Sequence, residues 1–313
     1  MRRSKRPILI ASRRSPLARV QAEMVGTRLA QLHKHVEVVY VWIESEGDRF
    51  TEASLADVGG KGLFVRAIER ALLQEKADIA VHSLKDLPAN PLEVTQGLTI
   101  AAVPRRADPR DCLVTREGYE SIQSLPRGAN VWSSSPRRAA QLRRLRPDLA
   151  VAPIRGNVET RLRKVLQDGV HEATLLAVAG LERAGLAEHA VHRISPDVVL
   201  PAAGQGAIAI QCRGDDHVTL RRCLPMNDAD TSQAVHAERQ VVAALRGDCH
   251  SPIAVFAEPD GEMLRLRARV LSTDGTQLVE ADETGKLSHA GRVVKKVVKA
   301  LRDGGAAAVL RGK

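Results

Sequence analysis

The sequence predicts an α/β protein: two α/β halves followed by a small C-terminal α+β domain. Three observations predict it. Over roughly the first two-thirds, short apolar runs alternate with segments of helical periodicity, as βαβ units do. From about Thr231 the alternation gives way to one helix and then three strand-like runs. Finally, 313 residues with 44% hydrophobic content exceed one ordinary core, so two or three domains are expected.

The elements follow in order. Residues 7–12 read as a strand, and Ser15-Pro16 as an N-cap with proline at the first helical position, opening a helix to about Leu32. Residues 36–43 are β-rich. Gly59-Gly60-Lys61-Gly62 is a turn, followed by a helix that places Leu63, Ala67, Ile68, Ala71 and Leu72 on one face. Residues 78–81 and 98–103 are strands. The pattern recurs with strands at 111–115 and 130–133 and a helix capped by Ser135-Pro136 running through Arg146. A strand at 150–154 leads through Arg155-Gly156-Asn157 into a helix, and one at 173–178 into a short helix. Segments 104–110 and 200–206 are the hinge candidates, lying between halves and carrying Pro or Gly. In the last part a helix at 232–245 ends at Gly247. Strands at 253–257, 264–271 and 278–283 follow, with Gly261 and Asp274-Gly275 in the turns, then a helix at 290–303.

Composition narrows the function. Net charge is +10, and arginine outnumbers lysine 36 to 11. Compositional bias is one source of such an excess. An anionic ligand is another, because guanidinium pairs bidentately with carboxylate or phosphate and ammonium does not. Nucleic acid is the obvious rival, but two Trp, two Tyr and three Phe leave few stacking platforms, and no nucleic-acid module is recognisable. With aromatics at 2%, the interior must be mostly Leu, Val, Ile and Ala. No apolar run is long enough to span a bilayer, and residues 7–11 are too short for a signal-peptide core, so a cytoplasmic location is expected. Cys112, Cys212, Cys223 and Cys249 form no CxxC pair and read as reduced thiols, the first three in or beside apolar runs. The histidines have no metal-ligand spacing, and the glycine turns match neither a P-loop nor GxGxxG. Neither metal nor nucleotide is therefore expected.

Three strings carry chemistry. His82-Ser83-Leu84-Lys85-Asp86-Leu87-Pro88 lies at the carboxyl end of a strand, where open α/β sheets bind ligands. A carboxylate beside a lysine stays ionised and can stabilise a neighbouring cation. Alone, the dipeptide also fits a plain salt bridge. Ser133-Ser134-Ser135-Pro136-Arg137-Arg138 puts hydroxyls, arginines and a helix N-terminus together, which suits an anion. A solvated basic helix face is the alternative. Arg13-Arg14-Ser15-Pro16 and Arg155 to Arg161 are two further strand-to-helix turns of the same kind. Cys249, in Gly247-Asp248-Cys249-His250-Ser251, lies on a loop between a helix and a strand and is either an ordinary loop cysteine or an accessible nucleophile.

Taken together, these strings resemble the porphobilinogen deaminase (hydroxymethylbilane synthase) family. Gly59 to Phe64, Asp108-Pro109-Arg110-Asp111, Leu176 to Leu181 and Pro201 to Ala207 add to the likeness, which runs from about residue 8 to 258. The resemblance implies two periplasmic-binding-protein-like α/β domains, 1–104 with 207–224 and an inserted 105–200, plus a domain at 230–313 carrying the cofactor cysteine. It implies stepwise deamination and head-to-tail joining of four porphobilinogen molecules, with release of ammonia and hydroxymethylbilane. The implied cofactor is dipyrromethane, held by a thioether to Cys249. The implied catalytic residues are Asp86 and Lys85; Arg137, Arg138, Ser133 and Ser135 would join them around the cofactor. Arg13, Ser15, Lys61, Phe64, Arg155, Arg161, Arg183 and Gln205 would meet substrate. A monomer with no nucleic-acid or membrane partner is expected. The chain departs from the family pattern at Asp57, Trp132, Asp248 and His250, where lysine, glycine, glycine and glutamine are usual; Trp132 would crowd the substrate turn. A non-catalytic solute-binding protein of the same fold would need neither a third domain nor Cys249.

Overall fold

The computed structural model describes residues 6–44, 63–89, 95–168, 172–248 and 250–312, without the side chains of Leu63 and Phe64. The chain divides into two compact units: Met1–Leu87, Val94–Arg106 and Ala207–Ser232 form unit 1, and Pro88–Glu93, Ala107–Gly206 and Gln233–Lys313 form unit 2.

Unit 1 is built on β1 (Ile8–Arg13), α1 (Pro16–Leu32), β2 (Val38–Ile43), α2 (Leu63–Leu73), β3 (Ile79–Ser83) and β4 (Leu98–Ala102). Its sheet has the order β2, β1, β3, then the later strand 208–213, then β4. β1 runs parallel to β2 and β3, while 208–213 is antiparallel to β3 and β4. Successive side chains on a strand point to opposite faces, so each strand feeds two cores. Ile8, Ile10, Ile79 and Val81 pack with Ala22, Val25 and Leu29 of α1 on one face. Ala11 and Ala80 pack with Ile68 and Leu72 of α2 on the other.

In unit 2 come β5 (Asp111–Thr115), β6 (Asn130–Trp132), α3 (Pro136–Leu145), β7 (Ala150–Ala152), α4 (Val158–Leu166), β8 (Ala173–Ala177), α5 (Val178–Arg183) and β9 (His192–Arg193). The strand order is β7-β6-β8-β5-β9, with β6 parallel to β7 and β8, and β5 antiparallel to β8 and β9. Leu113, Val131, Leu142 and Leu175 fill one face; Val114, Ile154, Leu162, Val165, Leu176 and Leu181 fill the other.

The chain re-enters unit 1 with β10 (Ile208–Arg213) and α6 (His217–Cys223); α7 (Ala229–Ala244) follows. β11 (Ile253–Asp260), β12 (Met263–Leu271) and β13 (Leu278–Lys286) then form an antiparallel sheet, completed by α8 (Ala290–Asp303) and α9 (Ala306–Arg311). Leu264, Leu266, Ala268 and Val270, at alternate positions of β12, meet Val293, Val297 and Leu301 of α8, and Ala237 and Val241 of α7. As the composition implied, the largest fully buried side chains are Ile and Leu.

Several expectations change. β10 was not anticipated, because its partners β3 and β4 lie more than a hundred residues away and it follows directly on the Gly-rich 204–206 string. β9, α6 and α9, all short, were likewise unread. The helix expected from Ser232 begins at Ala229, because the Asp228 carboxylate accepts from the Thr231 amide at 2.9 Å and caps the turn upstream. β11 reaches Asp260 through Pro259, which an edge strand tolerates.

Candidate active site

In unit 1 the candidate residues gather at one edge of the sheet. Arg13 ends β1, and Lys85 and Asp86 lie in a one-turn 3-10 helix, Leu84–Asp86, just after the parallel β3. Leu84 and Leu87 are 0% and 6% exposed and anchor the turn, leaving Lys85 half-buried and Asp86 exposed between them. The Leu84 amide also donates to the Ala207 carbonyl at 3.0 Å. Ser15 caps α1 by backbone conformation, with Pro16 in the first turn as expected, but its hydroxyl makes no capping bond. Below the turn, His82 is 6% exposed, and burial pushes its pKa down to about 4, so it is neutral at physiological pH.

In unit 2 three neighbouring parallel strands, β7, β6 and β8, end at the same edge, and the arginines follow them. After β6 the Ser133 hydroxyl accepts from the Ser135 amide at 3.3 Å. Ser135 then caps α3, accepting from the Arg138 amide at 3.4 Å. After β7, Gly156 turns with φ +118; a Cβ there would sit 2.6 Å from the Thr160 side chain. Arg161 donates from Nε to the Gly156 carbonyl at 2.9 Å, and Arg155 is exposed. At the end of α5, half-buried Arg183 donates from Nη2 to the Gly206 carbonyl at 2.6 Å.

Arg137 and Arg138 overturn the picture of a solvated basic face or an exposed lining: they are 4% and 6% exposed. Both converge on Asp111, itself 0% exposed. Arg137 Nη2 donates to Oδ2 at 2.8 Å, and Arg138 Nε and Nη2 donate to Oδ1 at 3.1 and 2.6 Å. Buried Gln205 donates to the same Oδ1 at 2.8 Å and to the Pro109 carbonyl at 2.7 Å. Burial pushes the Asp111 carboxyl pKa upward, but the two guanidiniums outweigh it and hold it well below the carboxylate range. Burial lowers the Arg137 pKa despite Asp111. Burial, with the charge of Arg138 added, also lowers that of Arg161. Arg161 therefore lies within the field of Arg138, and the cluster holds more cation than anion.

Trp132, bulky at a glycine position, packs its indole on the core of Ile154, Leu162 and Leu176. The role of Asp111 went unread, although the residue stood in the Asp108 to Asp111 string. The available signal was an acid opening an otherwise apolar strand. Lys61, Asp57 and Cys249 lie outside the described residues, as does the side chain of Phe64. Beside position 249 the Asp248 carboxylate accepts from the His250 amide at 3.0 Å and the Ser251 hydroxyl at 2.8 Å. The other three thiols are buried, and burial pushes their pKa values up to about 12 for Cys112, about 11 for Cys212 and about 12 for Cys223. Among the described residues no group of three or more His, Cys, Asp or Glu could hold a metal ion, and no helix is long and apolar enough to cross a membrane.

Comparison with known proteins agrees with this chemistry. Residues 8–221 match the family described as porphobilinogen deaminase, dipyromethane cofactor binding domain, and residues 232–303 match the porphobilinogen deaminase C-terminal domain. Porphobilinogen deaminase of Sorangium cellulosum is 46% identical over 88% of this chain and 90% of its own length. That of Legionella pneumophila is 41% identical over 97% of both chains. That of Stenotrophomonas maltophilia is 44% identical over 97% of this chain and 98% of its own. A Salmonella typhimurium periplasmic binding protein of high arginine specificity aligns at 14% identity and TM-score 0.40, over 75% of this chain and 97% of that one, too loosely to carry an argument. The chain belongs to the porphobilinogen deaminase family, transferases that make hydroxymethylbilane for tetrapyrrole biosynthesis.

Proposed function

We propose that Asp86 is the catalytic carboxylate, assisted by Lys85, and that dipyrromethane is held by a thioether to Cys249. The excess of positive charge at buried Arg137 and Arg138, with half-buried Arg161 beside them, is the observation that carries the reading. Porphobilinogen bears an acetate and a propionate, so a growing chain gains anionic groups with each addition. Desolvated guanidiniums with too few internal counter-ions suit such a chain better than surface lysines do. Bound dipyrromethane supplies the pyrrole end that is extended.

This chain's own groups do the rest. Exposed Asp86 stabilises positive charge that develops on the substrate ring as ammonia leaves. Arg13 and Ser15, on the same sheet edge, and Ser133, Ser135, Arg155, Arg161, Arg183 and Gln205 in unit 2 bind and orient side-chain carboxylates directly or through their neighbours. Lys61 and Phe64 are assigned to substrate by sequence match. Cys249 is the suitable sulfur, since the three described thiols are buried and stay protonated at neutral pH. On this reading one chain carries every group the reaction needs, so a monomer suffices; a cytoplasmic enzyme without a nucleic-acid partner completes the proposal.

The intact mass of the purified protein tests the attachment. Wild type from a host that makes porphobilinogen is expected to exceed the polypeptide mass by one dipyrrole, and Cys249→Ser to show bare polypeptide. A bare wild type, or an adduct retained in Cys249→Ser, refutes the assignment.

A further inference from the structure

We propose that Asp111 is a positioning residue for the reaction: its buried carboxylate sets the Arg137 and Arg138 guanidiniums for pyrrole carboxylates and ties them, through Gln205, to the segment 200–206. This rests on the reading of the arginine pair given above.

The geometry is over-determined. Asp111 receives Arg137 on Oδ2 and Arg138 and Gln205 on Oδ1, all within 3.1 Å. Arg137 spends its other terminal nitrogen on the Leu200 carbonyl at 2.6 Å. Gln141 closes the arrangement, donating to that carbonyl at 3.1 Å and accepting the Leu200 amide at 2.8 Å. Gln205 reaches the Pro109 carbonyl as well, and the Ala107 amide donates to the Gly206 carbonyl at 3.2 Å. Asp111 therefore stands beside both ends of the Ala107–Gly206 stretch of unit 2.

The charge count gives this geometry its purpose. Asp111 is the acid in ion-pair contact with either guanidinium among the described residues, so one negative charge meets two positive ones. A second internal acid would neutralise the pair and compete with the ligand. None would leave two mobile, repelling arginines. One acid fixes both and leaves a net positive charge for a carboxylate. Buried ion sets are seldom kept for stability alone, since apolar replacements often serve as well or better. Gln205 makes the same carboxylate sensitive to the placement of segment 200–206.

Three proteins, Asp111→Asn, Arg138→Gln and the double variant, test this through kcat and KM for porphobilinogen, with circular dichroism to follow folding. Each single change is expected to lower kcat/KM by about 10- to 100-fold, the scale of a small misplacement of binding groups, mainly through KM. The double variant is expected to lose less than the product of the two single losses, because Asp111 acts in part through Arg138. Asp111→Glu should recover part of the loss. A wild-type KM in Asp111→Asn, or singles whose effects multiply in the double, overturns the proposal while leaving the arginine reading intact. An unaltered Arg138→Gln overturns that reading, and the proposal with it. If Asp111→Asn fails to fold, Gln205→Met decides, since it spares both ion pairs: a raised KM supports the positioning role and an unchanged KM overturns it.

Discussion

Arg138→Leu is expected to destabilise the protein as well as impair it. The substitution removes two charge-assisted bonds to Asp111, at 3.1 and 2.6 Å, inside a site where neither side chain is more than 7% exposed. Each hydrogen bond to a charged group contributes about 1.5–3 kcal/mol. Asp111 retains Arg137 at 2.8 Å and Gln205 at 2.8 Å, so the low end applies to each, about 3 kcal/mol for the two. At about 2–4 °C per kcal/mol for a unit of this size, Tm falls by roughly 6–12 °C. Calorimetry or far-ultraviolet circular dichroism melts measure this directly, with Arg163→Leu as the comparison: Arg163 is exposed on α4, and its loss should stay within about 0.5 kcal/mol. An Arg138→Leu protein melting within about 2 °C of wild type would show that the Asp111 cluster contributes little to stability, refuting the reasoning.

Asp86→Asn is expected to melt like wild type, since Asp86 is exposed, yet to turn over on the order of 100-fold more slowly; near-normal turnover sinks the catalytic assignment. For Asp111 the folded pKa is depressed, so its stabilisation is present above the unfolded value of about 4 and is lost as pH falls through the folded value. The difference in urea midpoint between wild type and Asp111→Asn should hold constant from about pH 8 to 5 and shrink below about pH 4; a difference that grows on acidification contradicts the cluster. Gly206→Ala should destabilise by more than about 1 kcal/mol, because the residue has φ +86 and a Cβ would lie 2.6 Å from the Ala107 carbonyl oxygen. A neutral or stabilised variant in the same melts would count against that backbone geometry.

Much of the architecture is legible in the sequence because it is written in local rules. Ser15-Pro16 and Ser135-Pro136 announce helix starts, and both helices begin there. The alternation in β12 announces a strand with one buried face, and helical spacing in α8 announces the apolar stripe that covers it. The arginine-bearing turns are readable for the same reason: a strand end, a cap and a helix start are neighbours in the chain. What tertiary structure alone decided is which groups meet across long separations. β10 was unreadable because its register with Ser83 and Ala102 comes from pairing, not from its own pattern. The depth of Arg137 and Arg138 was unreadable because burying a guanidinium requires a carboxylate, and theirs comes from Asp111, 26 and 27 residues away. The packing of the Trp132 indole on the core of Ile154 and Leu162 is likewise visible only in the folded chain. Sequence determined the kinds of groups available for carboxylate chemistry. Folding determined how many of those charges are already matched inside the protein, because only packing sets the distance and desolvation that make a counter-ion count.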